Sequence, residues 1–578
     1  MARQRRRSGG GGPDEGSPTG VSYAPAEREL IVVAEPDVRL RATADGVSSE
    51  ADADIGPLAA LLVDEDIALE PLFGVSEDRL ERQAAQLSAR AEQPVPDMTR
   101  YYRVRAADER LDDLAPTLAQ LATVSAAYVK PAPEPAAVLQ AGTRSTQVAP
   151  PATADFTARQ GYLRAAPEGV DADWAHTQAG GIGAGVQIVD VEGAWQLAHE
   201  DLLQNMSGVI AGTPTTDLSW RNHGTAVFGE FGGDLNGLGI VGIAPAANAR
   251  AASIFPSVGS AAAIRGAADH LNAGDIILIE LHRPGPRHNF AGRLDQAGYI
   301  ALEWWPDDYD AIRYAIARGV IVVEAAGNGA ENLGDGIYDQ PAPGFPATWR
   351  NPFNPANPSS DAVVAGAGAP PPGTHGRDHG PDRSRLAFSN YGARLDAQGW
   401  GREVTTTGGR GGDPGDLQGG ADETVWYTDT FSGTSSASPI VVGALASIQG
   451  ILAARGLPRL NPRQAIDVLR TTGSPQTDAP GRPATQRIGS RPDIRAAIAA
   501  LAPVVVSSGI ATQYWTECLA YPPGDTALWL FVGSAWRRLA NPDPSTLDMV
   551  QRAFLGQDSR VRVWYANDVI VGLVVEGS

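Results

Sequence analysis

Between residues 181 and 370, short apolar runs alternate with stretches of helical periodicity. The runs are 186–189, which leads straight into Asp190, then 276–279, 320–323 and 362–365. Helical spacing marks 261–271 and 307–317. This alternation predicts a parallel sheet covered by helices on both faces, with functional groups gathered at the carboxyl ends of its strands. Further on, Val441, Leu445, Ile448 and Leu452 share one face of a helix that begins directly after the turn carrying Ser435. Ser435 is therefore expected at a helix N-terminus, where free N–H groups and the dipole favour a developing negative charge. Helix capping by these serines is the plainer alternative.

The flanking segments read differently. Strands are expected at 29–34, 68–73, 100–105 and 125–130, and helices at 55–63, 77–92 and 111–122. The order β-α-β-β-α-β, with one extra helix, predicts a small ferredoxin-like α+β domain over 21–130. Residues 131–155, rich in Pro, Ala, Gly and Thr, read as an exposed and easily cut linker. Residues 505–578 predict a small β-rich domain of unknown role, with strands at 513–521, 527–532, 560–565 and 568–575 and a helix at 544–554. Its Trp515, Trp529, Trp536 and Trp564 read as core and sheet-face residues. Residues 1–20 start basic and glycine-rich without the apolar run of an export signal, so a flexible tail is expected.

Composition narrows the classes. A chain of 578 residues exceeds one ordinary core. Its 66 glycines and 44 prolines indicate long surface loops. A net charge of −21 argues against non-specific nucleic-acid binding and against docking on anionic membrane. No stretch is long and apolar enough to span a bilayer. Cys518 is the only cysteine, so no intrachain disulfide forms. A cytoplasmic location is the expectation, with export by another route left open.

Four segments carry candidate chemistry. Asp190 ends an apolar strand in VQIVDVEGAWQ; His223 stands in NHGTAVFGEFG; Asn328 follows a strand in VVEAAGNG; Ser435 stands in FSGTSSASP. Asp, His and Ser in that order is one of the known orders for a Ser-His-Asp site. Together these segments resemble the subtilisin-like serine protease (subtilase) family. The stretches 239–245, 388–396 and 460–469 agree, and the resemblance runs from about 155 to 501. It implies a subtilisin-like peptidase domain over 156–502 that hydrolyses peptide bonds in proteins or peptides through an acyl-enzyme. Ser435 would be the nucleophile, His223 the general base and Asp190 its orienting acid. Asn328 and the Ser435 N–H would form the oxyanion hole.

The resemblance also bears on partners and metals. No cofactor is implied for the chemistry; a structural calcium is suggested near Asp201 and Asn236. The N-terminal domain resembles a family propeptide, which implies an intramolecular inhibitor and folding aid removed by a cut within 131–155. A permanent adaptor domain is the alternative.

Some positions depart from the family. Glu192 reads as a solvated loop residue, or else as one pointing into the cleft. Glu280, Leu281 and His282 replace a usually small stretch beside the substrate, and Glu324 stands before AAGN. Two rival functions remain: a catalytically idle binding protein with the same fold, and a low-pH serine-carboxyl (sedolisin-like) peptidase, against which the intact His223 motif argues.

Overall fold

The computed structural model describes residues 22–43, 46–89, 94–138, 152–501, 507–518, 526–556, 559–566 and 568–577. The expected tail at 1–20 and most of the expected linker lie outside them. The chain forms two compact units, 1–500 and 501–578.

In the first unit, β1 (Glu29–Ala34), β2 (Ala68–Pro71), β3 (Tyr101–Arg105) and β4 (Val124–Lys130) form an antiparallel sheet in the order β2-β3-β1-β4. With helices Gly56–Asp64 and Leu111–Leu118, this is the ferredoxin-like arrangement expected. The alternating strands bury Leu30 and Val32 against those helices. Ile31 and Val33 point the other way, into a core shared with the rest of the unit. The N-terminal fold is thus two-faced: one face is its own core, the other is docked.

The docked face meets an α/β layer of seven parallel strands. They are β6 (Gln187–Glu192), β7 (Met206–Ala211), β8 (Asn248–Ser253), β9 (Ile276–Ile279), β12 (Ile321–Ala325), β13 (Val363–Gly368) and β14 (Leu395–Trp400), in the order β14-β13-β12-β9-β6-β8-β7. Helices Leu218–Gly232, Ser260–Asp269, Pro306–Ala317 and Ser438–Ala454 pack with it. This is the subtilisin-like α/β fold expected. Strands β7, β8 and β14 carry no clear strand signal in the sequence, because small and polar residues interrupt their apolar pattern. Trp304 and Trp305 are buried in the shared core.

Residues 131–138 correct the expectation of an exposed linker. Here β5 (Glu134–Pro135) pairs antiparallel with β10 (Leu281–Pro284), which pairs in turn with β11 (Tyr299–Ala301). Ala136, Ala137 and Val138 are buried. A Pro/Ala-rich run needs few side-chain contacts to bind this way, since its backbone adds a strand to a waiting edge.

The interface is strongly charged. Lys130 is fully buried and ion-paired with Glu29 at 3.1 Å, Asp308 at 3.4 Å and Asp307. Arg283 reaches Asp308 at 3.4 Å and donates to the Pro131 carbonyl. Buried charges persist only when paired in this way.

The second unit is a mixed sheet, antiparallel except where Ala535–Ala540 pairs parallel with Val569–Gly577, with one helix, Pro544–Leu555, on it; Ser507–Ile510 and Ala535–Ala540 are strands the sequence did not reveal. Trp515 is 62% exposed on the sheet face. Among the described residues no helix is long and apolar enough to cross a membrane.

Candidate active site

Strand β6 runs past Asp190 to end at Glu192. The two-residue period of a strand puts both carboxyls on one face, with Glu192 the further along. Gly193 ends the strand, where any Cβ would lie 2.3 Å from the Trp220 ring. Helix Leu218–Gly232, capped by Asp217 on the Trp220 N–H, carries His223 in its second turn.

His223 Nδ1 lies 2.8 Å from Glu192 Oε1. Asp190 is engaged elsewhere: its Oδ2 accepts from Trp195 Nε1 at 2.7 Å. The expected Asp190–His223 pair is therefore corrected to Glu192–His223, and Glu192 is a fully buried site residue rather than a solvated one. The signal was present in the sequence: an acid two positions on shares the face of the first, and the strand outlasts its apolar run.

Ser435 lies in the turn before helix Ser438–Ala454, three residues ahead of its first position rather than directly against it. Its Oγ makes no hydrogen bond of standard geometry, and neither does His223 Nε2; both are buried. The Ser435 backbone N–H donates to the Ala136 carbonyl at 3.1 Å. Ala137 bridges Gly433, and the Val138 N–H donates to the Ser432 carbonyl at 3.2 Å. Upstream, Leu281 pairs with Pro135 and His282 with Glu134. Residues 134–138 thus cross the cleft as an extended peptide, with the 136 carbonyl on the turn that carries Ser435.

Asn328 is held from the same turn. Its Oδ1 accepts from the Thr434 N–H at 2.9 Å and from Thr434 Oγ1 at 3.0 Å, which fixes the amide's orientation. One Nδ2 hydrogen goes to Gln296 Oε1 at 3.0 Å, and Gln296 Nε2 donates to the Pro135 carbonyl at 3.3 Å. Gln296 is a site residue the sequence did not mark, since it stands in a loop without a motif.

Burial governs the electrostatics. It pushes the Glu192 carboxyl well above the usual carboxylate range and pulls His223 down to about 3. Asp190 is raised by burial and then by the charge of Glu192. Glu280, whose Oε1 accepts from Ser438 Oγ at 2.6 Å, is raised by burial and by Asp190, and is eased by the Ser438 and Ser435 hydroxyls. The dry cleft disfavours charge on either partner of the Glu192–His223 pair.

The N-terminal end of the docked ferredoxin-like domain also reaches this site. Trp220 Nε1 donates to the Ala24 carbonyl at 2.9 Å. The Tyr23 ring stands 5.5 Å from that of Trp220 and 6.4 Å from that of His223.

The expected calcium position does not fit the ion. Asn236 turns its Nδ2, a donor, onto Asp201 Oδ1 at 2.8 Å, and Asn236 Oδ1 accepts from the Leu238 N–H. Asp201 Oδ2 accepts from the Ile240 N–H at 2.7 Å. Both side chains are spent on protein hydrogen bonds, whereas calcium needs several free oxygens. Among the described residues no cluster of three or more His, Cys, Asp or Glu is placed to hold a metal.

The model of the subtilase family matches residues 198–489, half of the chain. Subtilisin NAT of Bacillus subtilis subsp. natto is 25% identical over 295 residues, covering 50% of this chain and 62% of the relative. An intracellular serine protease of Paenibacillus polymyxa is 26% identical over 294 residues, 49% of this chain and 72% of the relative. The chain therefore spans less than two thirds of the length of some of these relatives. Among solved structures, fervidolysin from Fervidobacterium pennivorans aligns over 96% of this chain and 74% of its own, at 16% identity and a TM-score of 0.46. The family match begins at residue 198, past both Asp190 and Glu192.

Proposed function

Because the chain belongs to the subtilase family, we propose that it is a serine endopeptidase with a Ser435–His223–Glu192 site, whose first substrate is its own chain. The Ser435 hydroxyl attacks the peptide carbonyl as His223 Nε2 takes its proton. Glu192 holds Nδ1 and stabilises the imidazolium that forms. The Ser435 N–H and the second Nδ2 hydrogen of Asn328 receive the oxyanion. Collapse gives an acyl-enzyme and an amine protonated by His223, and water then releases the acid.

The observation that carries this reading is the Ala136 carbonyl resting on the Ser435 N–H inside a strand-paired peptide. It supports 136–137 as the bond presented for attack. The ferredoxin-like N-terminal domain then acts as intramolecular inhibitor until that bond is cut. Protein and peptide substrates follow the same backbone track along β10.

The test is intact-mass analysis of the full chain on incubation, with Ser435→Ala alongside. Cleavage between 136 and 137 in the wild type only, with fluorophosphonate labelling of Ser435 after processing, is the expected result. A wild type that is neither cut nor labelled overturns the proposal.

A further inference from the structure

We propose that the His282 side chain closes the pocket for the residue whose carbonyl is attacked, and so restricts that residue to alanine-sized side chains. This rests on the reading of Ser435 as nucleophile, and adds the specificity of the same site.

The register fixes the relevant side chain. His282 faces Glu134 across the β5–β10 pair. In an extended chain, residues two apart share a face, so the residue 136 side chain lies on the His282 side. Its position is pinned from both directions, by the Ser435 N–H on the 136 carbonyl and by Gln296 on the 135 carbonyl.

His282 sits between two backbone walls. It belongs to β10, and its Nδ1 accepts from the Asn328 N–H at 3.3 Å, in the turn after β12. Its ring packs 4.7 Å from that of Tyr299, whose hydroxyl donates to Glu134 Oε1 at 3.2 Å. The imidazole thus bridges the two segments that flank the bound peptide. It is fully buried, and burial together with His223 pulls it down to about 3, so it sits there as a neutral, packed ring. Ala136 contributes only a methyl group and yet is 0% exposed. Walls that already enclose a methyl group leave a leucine or phenylalanine nowhere to go without displacing the ring. Close-packed sites resist such additions.

The experiment uses the full-length protein after self-processing and internally quenched decapeptides with the sequence of residues 131–140. The position of Ala136 is varied as Ala, Ser, Leu and Phe. Cleavage of the Ala and Ser peptides is expected, with kcat/KM for Leu and Phe lower by about 10- to 100-fold. His282→Gly is expected to raise the Phe-to-Ala ratio of kcat/KM by a similar factor. Two results would overturn the proposal: a wild type that cleaves the Phe peptide as fast as the Ala peptide, or a soluble, fluorophosphonate-labelled His282→Gly with an unchanged ratio. The wild-type profile decides alone if the variant does not fold. Labelling and cleavage without an alanine preference sink only this proposal. Absence of both sinks it together with the peptidase reading.

Discussion

The Ser435 N–H and the Ala136 carbonyl oxygen lie 3.1 Å apart because position 433 carries no side chain. A Cβ on Gly433 would stand 2.2 Å from that same oxygen and 2.9 Å from the Ala137 Cα, at a φ of +121° that other residues rarely adopt. Gly433→Ala should therefore unseat residues 134–138. Processing at 136–137 is expected to slow by at least about 100-fold, as an ångström-scale misplacement of reacting groups does. Hydrogen exchange in that segment should rise. Wild-type processing in this variant would show that the close approach is not needed.

Glu192→Gln and Asp190→Asn should separate by a wide margin. In other Ser-His-acid sites, amidation of the acid beside His lowers kcat by about 10⁴. A loss of that order is expected for Glu192→Gln in peptide hydrolysis. Asp190→Asn, which keeps an oxygen for Trp195, should lose far less. The opposite ranking would return the orienting role to Asp190.

Lys130→Ala removes the cation from among Glu29, Asp307 and Asp308. Breaking a buried pair from one side costs about 3–5 kcal/mol. In a Ser435→Ala background the melting temperature should fall and the N-terminal unit should become sensitive to added protease. Unchanged melting and protease resistance would mean that the cluster does not hold the interface.

Tyr23→Ala should open the His223 side of the cleft while residues 134–138 remain in place. Faster fluorophosphonate labelling of the unprocessed chain is expected. An unchanged rate would mean that the aromatic ring shields nothing.

Stability should decline as pH rises. Burial raises Glu134 and Glu303 to about 7, and Asp308, Asp310 and Asp396 to about 6. Each folded-state value exceeds the free-chain value of about 4, so the folded protein binds more protons than the unfolded chain. Stability from these groups is complete below pH of about 4 and is lost as pH climbs through 6 to 7. Glu29, where Lys130 and Arg103 outweigh burial and hold the carboxyl at about 2, acts oppositely, and only below its free-chain value. His223 and His282, held at about 3, also act oppositely as pH rises towards the free-imidazole value, and offset part of the loss. Ser435→Ala should melt several degrees lower at pH 8 than at pH 5. Equal or higher melting at pH 8 would contradict this.

The sequence disclosed what depends on local pattern. Apolar runs located β6, β9, β12 and β13, and the motif turns located His223, Asn328 and Ser435. It failed where the outcome depends on a partner from far along the chain. Residues 131–138 have the composition of a linker and become a strand only because β10 offers an unpaired edge. Asp190 and Glu192 differ in role because Trp195 takes one carboxyl and His223 the other, a choice made by packing. Gln296 has no local signature at all.

Strand β4 passes without a break into the peptide that fills the cleft, so anchor and plug are one covalent piece. While bond 136–137 is intact, their hold on each other is independent of how much protein is present; the tether keeps the local concentration high. Were that bond severed, as proposed, the same contacts would join two separate molecules. From then on, dilution alone could release what the uncut chain never would.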